Sequence, residues 1–343
     1  MTIDIEILQF LHYHPLANRA KIMAGLMEAP SDSTMKRLLS AAKEGNVETV
    51  GRGPATKYRL TPQAHVTMPL DLATYFDKDI DERVVQESFN FDLIREVLPK
   101  VEIFTKEELE VLNAAQKEFK KNTEGMTDLE SRKEMERLVV DLSWKSSQIE
   151  GNTYSLLETE RLLKDKQTAS GKTKDEAIML LNHKDALDFV LDVPDYLKEL
   201  SVHRIEDIHS ILTKELEVDR NIRHRRVGIT GTNYRPLDNE FQIREALEDT
   251  CTLVNGKDNV FEKALLTLVL LSYIQAFVDG NKRTARITSN GILIANGYCP
   301  ISFRTVDSID YKKAMIMFYE QNNIAAFKKI FTEQFLFAVK TYF

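Results

Sequence analysis

Apolar positions recur at helical spacing along most of this chain. Near its start, Ile5, Ile7, Leu8 and Leu11 share one helical face that stops at His14-Pro15, where proline breaks the hydrogen-bond ladder. A short helix is predicted from Ala17 to Met27. Pro30-Ser31-Asp32-Ser33 then supplies a turn and cap for a third helix that turns Met35, Leu38, Leu39 and Ala42 inward. The period next changes to two: Val47-Glu48-Thr49-Val50 and Lys57-Tyr58-Arg59-Leu60 alternate around Gly51-Arg52-Gly53-Pro54, which predicts a hairpin. Helical spacing returns from Lys106, through Leu109, Leu112, Ala115 and Phe119 and then Leu138, Val139, Leu142 and Trp144. The charge run Lys117 to Lys121 reads as a solvated helix face.

Three helices followed by a basic hairpin make residues 1–65 a unit of their own that resembles a winged helix. That resemblance implies a third helix in a DNA major groove and a hairpin against phosphate. Protein docking or dimerisation into a homo-oligomer is the alternative, and composition does not choose between them. Residues 66–105 show mixed charge and no period, so they are expected to be a linker or irregular connection. Residues 106–200 form a helical connector, and 201–343 a second helical body. The expected fold class is mainly α.

Composition narrows this picture. The 343 residues exceed what one small core needs, with 43% hydrophobic and 29% charged residues, ordinary for a globular chain. Only 13 Gly and 9 Pro speak against an all-β sandwich. The net charge of −7 rules out nucleic-acid coating by bulk charge, so any DNA contact is local. Cys251 and Cys299 alone provide neither a disulfide framework nor a Cys-pair zinc site. Met1 to Glu6 lack a basic region leading into an apolar one, and Ala264 to Tyr273 is too short to span a bilayer. A cytoplasmic protein without a membrane partner is expected.

The chemistry concentrates at Ala276-Phe277-Val278-Asp279-Gly280-Asn281-Lys282-Arg283-Thr284-Ala285-Arg286, between two apolar helices. The backbone amides of Gly280, Asn281 and Lys282 start the second helix, where partial positive charge gathers. Lys282, Arg283 and Arg286 add full charges, and Asp279 is suited to hold Mg²⁺ between phosphate oxygens. Read on its own, the stretch is a phosphate-binding loop or a capped helix with surface charges. Ser170-Gly171-Lys172-Thr173 imitates the end of a P-loop, but Lys166 stands at the leading glycine and no strand precedes it, so a solvent loop is expected.

The run from Phe277 to Arg286 resembles the signature of the Fic (Fido) family. Ser146-Ser147-Gln148-Ile149-Glu150-Gly151-Asn152 is similar to the family's inhibitory-helix motif. Arg225 to Pro236 resembles its β-hairpin flap, and Tyr311 to Phe343 its closing helices. Together these cover roughly residues 140–343. The resemblance implies a helical Fic core with a short flap hairpin, using ATP and Mg²⁺ to move AMP onto a Ser, Thr or Tyr hydroxyl of a target protein. It implies Asp279 as the metal ligand. Phe277, Gly280, Asn281, Lys282 and Arg283 would bind nucleotide, with Arg286 meeting either the γ-phosphate or the inhibitory Glu150 of the motif that begins at Ser146. Gly231 and Thr232 would align an extended target segment by strand addition.

Two positions depart from the pattern. Gln275 and Ala276 replace the family's His-Pro, and a glutamine amide orients a hydroxyl without taking its proton. The nearest histidines in sequence, His209 and His224, are expected to be structural or exposed. Lys282 replaces a glycine usual in AMP-transferring members and matches the phosphate-moving Doc branch. Three readings compete: a slow, self-inhibited AMP-transferase; an ATP-binding regulator that has lost its chemistry and works through the winged helix; and a purely structural interaction protein without nucleotide, which intact Asp279, Asn281, Arg283 and Arg286 disfavour. A Doc-like phosphotransferase is a minor alternative.

Overall fold

A computed structural model of the chain describes residues 3–42 and 45–343; Met1 and Thr2, where the reading of the first residues begins, lie outside them. The N-terminal unit holds α1 (Ile3–Tyr13), α2 (Arg19–Ala24) and α3 (Asp32–Ala42), followed by the antiparallel pair β1 (Val47–Val50) and β2 (Lys57–Leu60). Val47 faces Leu60 across the ladder, and these two strand residues join Ile7, Leu11, Ile22, Met35 and Leu39 in a small core.

Next come α4 (Pro62–Thr67) and α5 (Leu72–Phe76), capped by the side chains of Thr61 and Asp71. The stretch expected as a loose connection packs tightly. Leu93, Ile94, Leu98, Val101, Ile103 and Phe104 are buried in the large core. Its helical pieces are three to six residues long, less than two turns, too short for a period to show in sequence.

The connector consists of α6 (Lys106–Glu124), α7 (Asp128–Ile149), α8 (Leu156–Asp165) and α9 (Lys174–Asp192). Each opens with a capping box, in which a Thr or Ser accepts the amide three residues on and a Glu reaches back: Thr105 with Glu108, Thr127 with Glu130, Ser155 with Glu158, Thr173 with Glu176. Ser170 to Thr173 is thus a turn leading into a helix cap.

The remaining helices are α10 (Val202–Leu212), α11 (Glu240–Gly256), α12 (Val260–Ile274), α13 (Asn281–Ala295), α14 (Ser308–Gln321) and α15 (Ala325–Tyr342). From Phe261 to Ile274, α12 is buried except at Lys263. Its Thr267 and Ser272 hydroxyls donate to the carbonyls of Lys263 and Leu268, both at 2.8 Å, so these buried polar groups are paired within the helix. α13 runs back along it, and Ser289 donates to the Ala264 carbonyl at 2.8 Å. Met317 of α14 enters the small N-terminal core, and His12 of α1 lies 3.1 Å from the Gln321 side chain, joining the two bodies. Among the described residues no helix is long and apolar enough to cross a membrane.

The mainly α class is observed. The flap, however, is not a hairpin. Among the described residues the only strand pair is β1–β2. Residues 225–236 form no strand: a turn lies at Thr230-Gly231, and Arg235 makes a single bridge, to Ser88. The second arm spends its hydrogen bonds elsewhere. Arg235 N donates to the Glu87 carbonyl at 2.7 Å, and Asn233 donates to the Asp81 carboxylate at 2.9 Å.

Candidate functional site

The turn from α12 to α13 is assembled from its own residues. Asn281 donates to the Phe277 carbonyl at 2.7 Å and accepts the Phe277 amide at 2.8 Å, closing residues 277–281 into a ring of contacts. Gly280 has φ +82°, and a Cβ there would meet the His209 ring at 3.3 Å, so the position demands glycine on both counts. No side chain caps the start of α13, which leaves its first amides free to meet a ligand.

Charge is layered behind that helix start. Arg283 is 1% exposed; one of its nitrogens donates to Asp279 at 2.8 Å, while Nε and Nη1 find no partner among the described residues. A buried guanidinium with two idle donors beside a helix N-terminus fits an anion. Burial lowers the Arg283 pKa, opposed by Asp279 and Glu150, yet guanidinium remains charged. Asp279 keeps its side chain 61% exposed. No cluster of three acidic, histidine or cysteine side chains occurs among the described residues, so the donor set fits Mg²⁺ only as an ion shared between one carboxylate and the phosphates of a ligand.

Arg286 is fully buried and points toward α7. It donates to Ser146 Oγ at 2.8 Å, to the Ser146 carbonyl at 3.0 Å and to Glu150 Oε1 at 2.8 Å, with its guanidinium 5.4 Å from the Tyr311 ring. Lys282 approaches the other oxygen of Glu150 at 3.4 Å. Burial pushes the Glu150 carboxyl up, but Arg286, Lys282 and Arg283 outweigh it and hold the group below the ordinary glutamate value. One carboxylate therefore ties together two cations, one of them aimed at the ligand side.

Gln275 lies in the left-handed region, φ 53° and ψ 56°, a conformation that costs a non-glycine residue about 1 kcal/mol or more. Buried Arg223 holds it there: its Nε donates to the Gln275 carbonyl at 2.6 Å and its backbone amide to the Ala276 carbonyl at 3.0 Å. The Gln275 amide nitrogen donates to the Ser272 carbonyl at 2.6 Å.

A cleft of about 350 Å³ lies above this turn, walled by Glu150, Gln275, Lys282, the backbone from Gly228 to Thr230, and Met315 and Tyr319 of α14. Of the residues expected at a ligand, Gln275, Lys282 and Glu150 reach the cleft wall. Asp279, Gly280, Asn281 and Arg283 stand at the adjoining helix start, and Arg286 and Ser146 behind Glu150. Phe277 was expected to bind nucleotide; it is 2% exposed and stacks on His209 at 3.6 Å, so it belongs to the core beneath the turn. Gly231 and Thr232 are half-buried beyond the cleft rim, where Thr232 Oγ accepts the Tyr234 amide at 3.0 Å.

His209, expected to be structural or exposed, is structural. Its Nε2 lies 2.9 Å from the Asp279 carbonyl and Nδ1 3.2 Å from the Arg220 carbonyl, so it holds the loop. Burial pushes its pKa down to about 4. With both ring nitrogens facing carbonyls, it has no lone pair directed at the cleft. His224 is exposed.

Comparison with known proteins places the turn in context. Residues 199–293 match the Fic/DOC family model. The chain is 30% identical over 182 residues to protein adenylyltransferase Fic of Nematostella vectensis, covering 49% of this chain and 40% of that protein. It is 28% identical over 160 residues to protein adenylyltransferase fic-1 of Caenorhabditis elegans, covering 45% and 31%. The matches thus span less than half of either curated relative. Among solved structures, Fic-1 from C. elegans superposes with a TM-score of 0.60 at 20% identity, over 68% of this chain and 71% of that one. A Fic domain containing signaling protein from Bacteroides thetaiotaomicron gives 0.59 at 17%, over 67% and 94%. These superpositions establish the likeness of fold.

Proposed function

Residues 199–293 form a Fic/DOC-family domain, and from that premise we propose that this protein binds ATP with Mg²⁺ and transfers AMP to a hydroxyl of a target protein, slowly and under self-inhibition. The observation that carries the reading is Arg283, buried with two unpaired donors beside the uncapped start of α13. Those groups and Lys282 would hold the phosphates. Asp279 would share Mg²⁺ with them, and the ion would draw negative charge off the phosphates when bound.

In the transfer, the target hydroxyl oxygen would bond to the α-phosphorus as the bond from that phosphorus to the oxygen shared with the β-phosphate breaks; pyrophosphate leaves with that oxygen, and the hydroxyl proton passes to water. Gln275 supports only part of this. Its side-chain carbonyl oxygen would accept a hydrogen bond from the target hydroxyl and orient the nucleophile, but it takes no proton at neutral pH. Glu150 acts as the brake, since its pairing with Lys282 and Arg286 engages cations that phosphate would otherwise recruit. Ser146, bonded to the same Arg286, keeps α7 in place for that contact.

The absence of a base at position 275 favours a second reading, in which ATP binds as a signal and no transfer follows. The N-terminal unit would then carry the output, as a DNA-binding or protein-binding winged helix. Incubation with ATP labelled at the α or the γ position, with Mg²⁺, separates the cases. Protein-bound α label is the expected result. Label from γ alone means phosphate transfer, and neither label with calorimetric ATP binding means a sensor.

A further inference from the structure

Arg83 comes from the segment between α5 and the large core, far from the phosphate loop in sequence, and its side chain is 4% exposed. It is paired with Glu320 of α14, which is fully buried, through Nη1 at 3.3 and 3.2 Å to the two carboxylate oxygens. Its other terminal nitrogen, Nη2, donates to the carbonyl of Gly231 at 3.0 Å. Gly231 has φ +90°, and a Cβ there would lie 3.3 Å from Ile316 on α14. The turn is therefore pressed against α14 and pinned to it through Arg83. Its neighbours Gly228, Ile229 and Thr230 form the outer wall of the cleft.

The same short segment is secured on its other side. Tyr75 donates to Glu320 at 2.6 Å, and the Gln86 amide donates to the Glu320 backbone carbonyl at 2.9 Å. Asp81 and Glu87 take hydrogen bonds from Asn233 and Arg235. Residues 75–88 thus strap the N-terminal side of the molecule to α14 and to the turn at once.

We propose that Arg83 is a positioning residue for the cleft: through the Gly231 carbonyl it fixes the height of the 228–235 edge over the nucleotide site. This rests on the reading of that edge as the place where a target segment is aligned. A neutral donor at the same place would give a weaker bond, and a guanidinium can meet a carboxylate and a carbonyl together because its nitrogens diverge in one plane. Arg83 touches neither the α12–α13 turn nor Lys282, so its effect on nucleotide affinity is small.

The test uses the full chain and the pair of substitutions Arg83→Met with Glu320→Gln. Together they remove both buried charges, keep similar volumes and leave Tyr75 an acceptor, so no stranded carboxylate unfolds the protein. Hydrogen exchange at residues 228–235 should rise about tenfold or more, the loss of one charge-assisted hydrogen bond, while residues 275–286 keep their protection. ATP affinity by calorimetry should stay within about twofold. Arg83→Lys alone should recover part of the protection, since an ammonium retains the charge but not the fork. Unchanged exchange at 228–235 in the double variant overturns the assignment, as does loss of protection spread evenly through the core. If the edge loosens as expected and no variant ever takes up α label, the positioning role stands and the AMP-transfer reading falls.

Discussion

The start of α13 and the end of α12 face the same cleft but are specified to different degrees. At the α13 end, Asn281 closes the turn, Gly280 admits His209 beneath it, and Arg283 and Arg286 are buried with their charges directed at chosen partners. At the α12 end the backbone is held as firmly, by Arg223 against Gln275 and Ala276, yet the side chain displayed there has no basic atom. Scaffold and side chain are separable features. Holding a left-handed residue in place is a packing problem, solved here irrespective of which side chain it shows, whereas proton transfer depends on that side chain alone.

The largest expected effect comes from supplying the missing base. Gln275→His combined with Glu150→Gly should raise α-label transfer by roughly 10²–10⁴-fold, because imidazole titrates near neutral pH and the backbone already presents position 275. ATP affinity in the histidine single variant should hardly move. Equal labelling by the wild type and the double variant would mean that Gln275 is not the deficiency.

Arg286→Ala attacks the other end through stability. It leaves Glu150 with Lys282 alone and Ser146 without its donor; removing one member of a buried pair costs about 3–5 kcal/mol, and because Lys282 remains and Glu150 is one-fifth exposed, the lower end applies. Denaturant midpoints measure it. Arg283→Ala should weaken ATP binding by about 1.5–3 kcal/mol, the worth of a charge-assisted phosphate contact, with the fold checked by circular dichroism. Calorimetry showing equal affinity would remove Arg283 from the site.

The smallest effect concerns Glu150, which pairs with Lys282 and Arg286 of α13. The Glu150 carboxyl is held below its ordinary value, so the ion pairs add stability that is complete above the unfolded-state pKa of about 4.3 and is lost as pH falls through the lower folded value. The stability difference between wild type and Glu150→Gln should therefore be constant from neutral pH down to about 5 and shrink in more acid buffer. A difference that grows on acidification would reverse the sign assigned to this group.

Local patterns carried much of this into the sequence. The apolar run of α12 and the polar turn after it mark the helix pair, because burial and charge alternate within a dozen residues. Ser/Thr-x-x-Glu marks the starts of α6 to α9. What escaped notice depends on distant contacts. Arg223 stands in a basic run that reads as surface charge, and its targets lie 51 and 52 residues away. Arg83 reaches Gly231 across 148 residues, and His209 reaches Asp279 across 70. The pairing of Glu150 with Arg286, 136 residues apart, was legible only through family resemblance. The flap hairpin was implied by family resemblance alone, and the hydrogen bonds of its second arm go to Asp81 and Glu87 instead.

The placement of α14 has a consequence for chain length. Tyr311, Met315 and Tyr319 recur every four residues along the cleft, while Met317, Glu320 and Gln321 turn to the N-terminal core and the strap. Inserting or deleting one residue between Met315 and Met317 would rotate Tyr311 and Met315 by about 100° against Met317, Tyr319, Glu320 and Gln321, splitting the cleft wall and shifting it against the strap. No point substitution on either face could restore both alignments. Related chains that keep both contacts should therefore vary in sequence along this helix while its residue count stays fixed, with gaps accumulating in the loop before Ser308 instead.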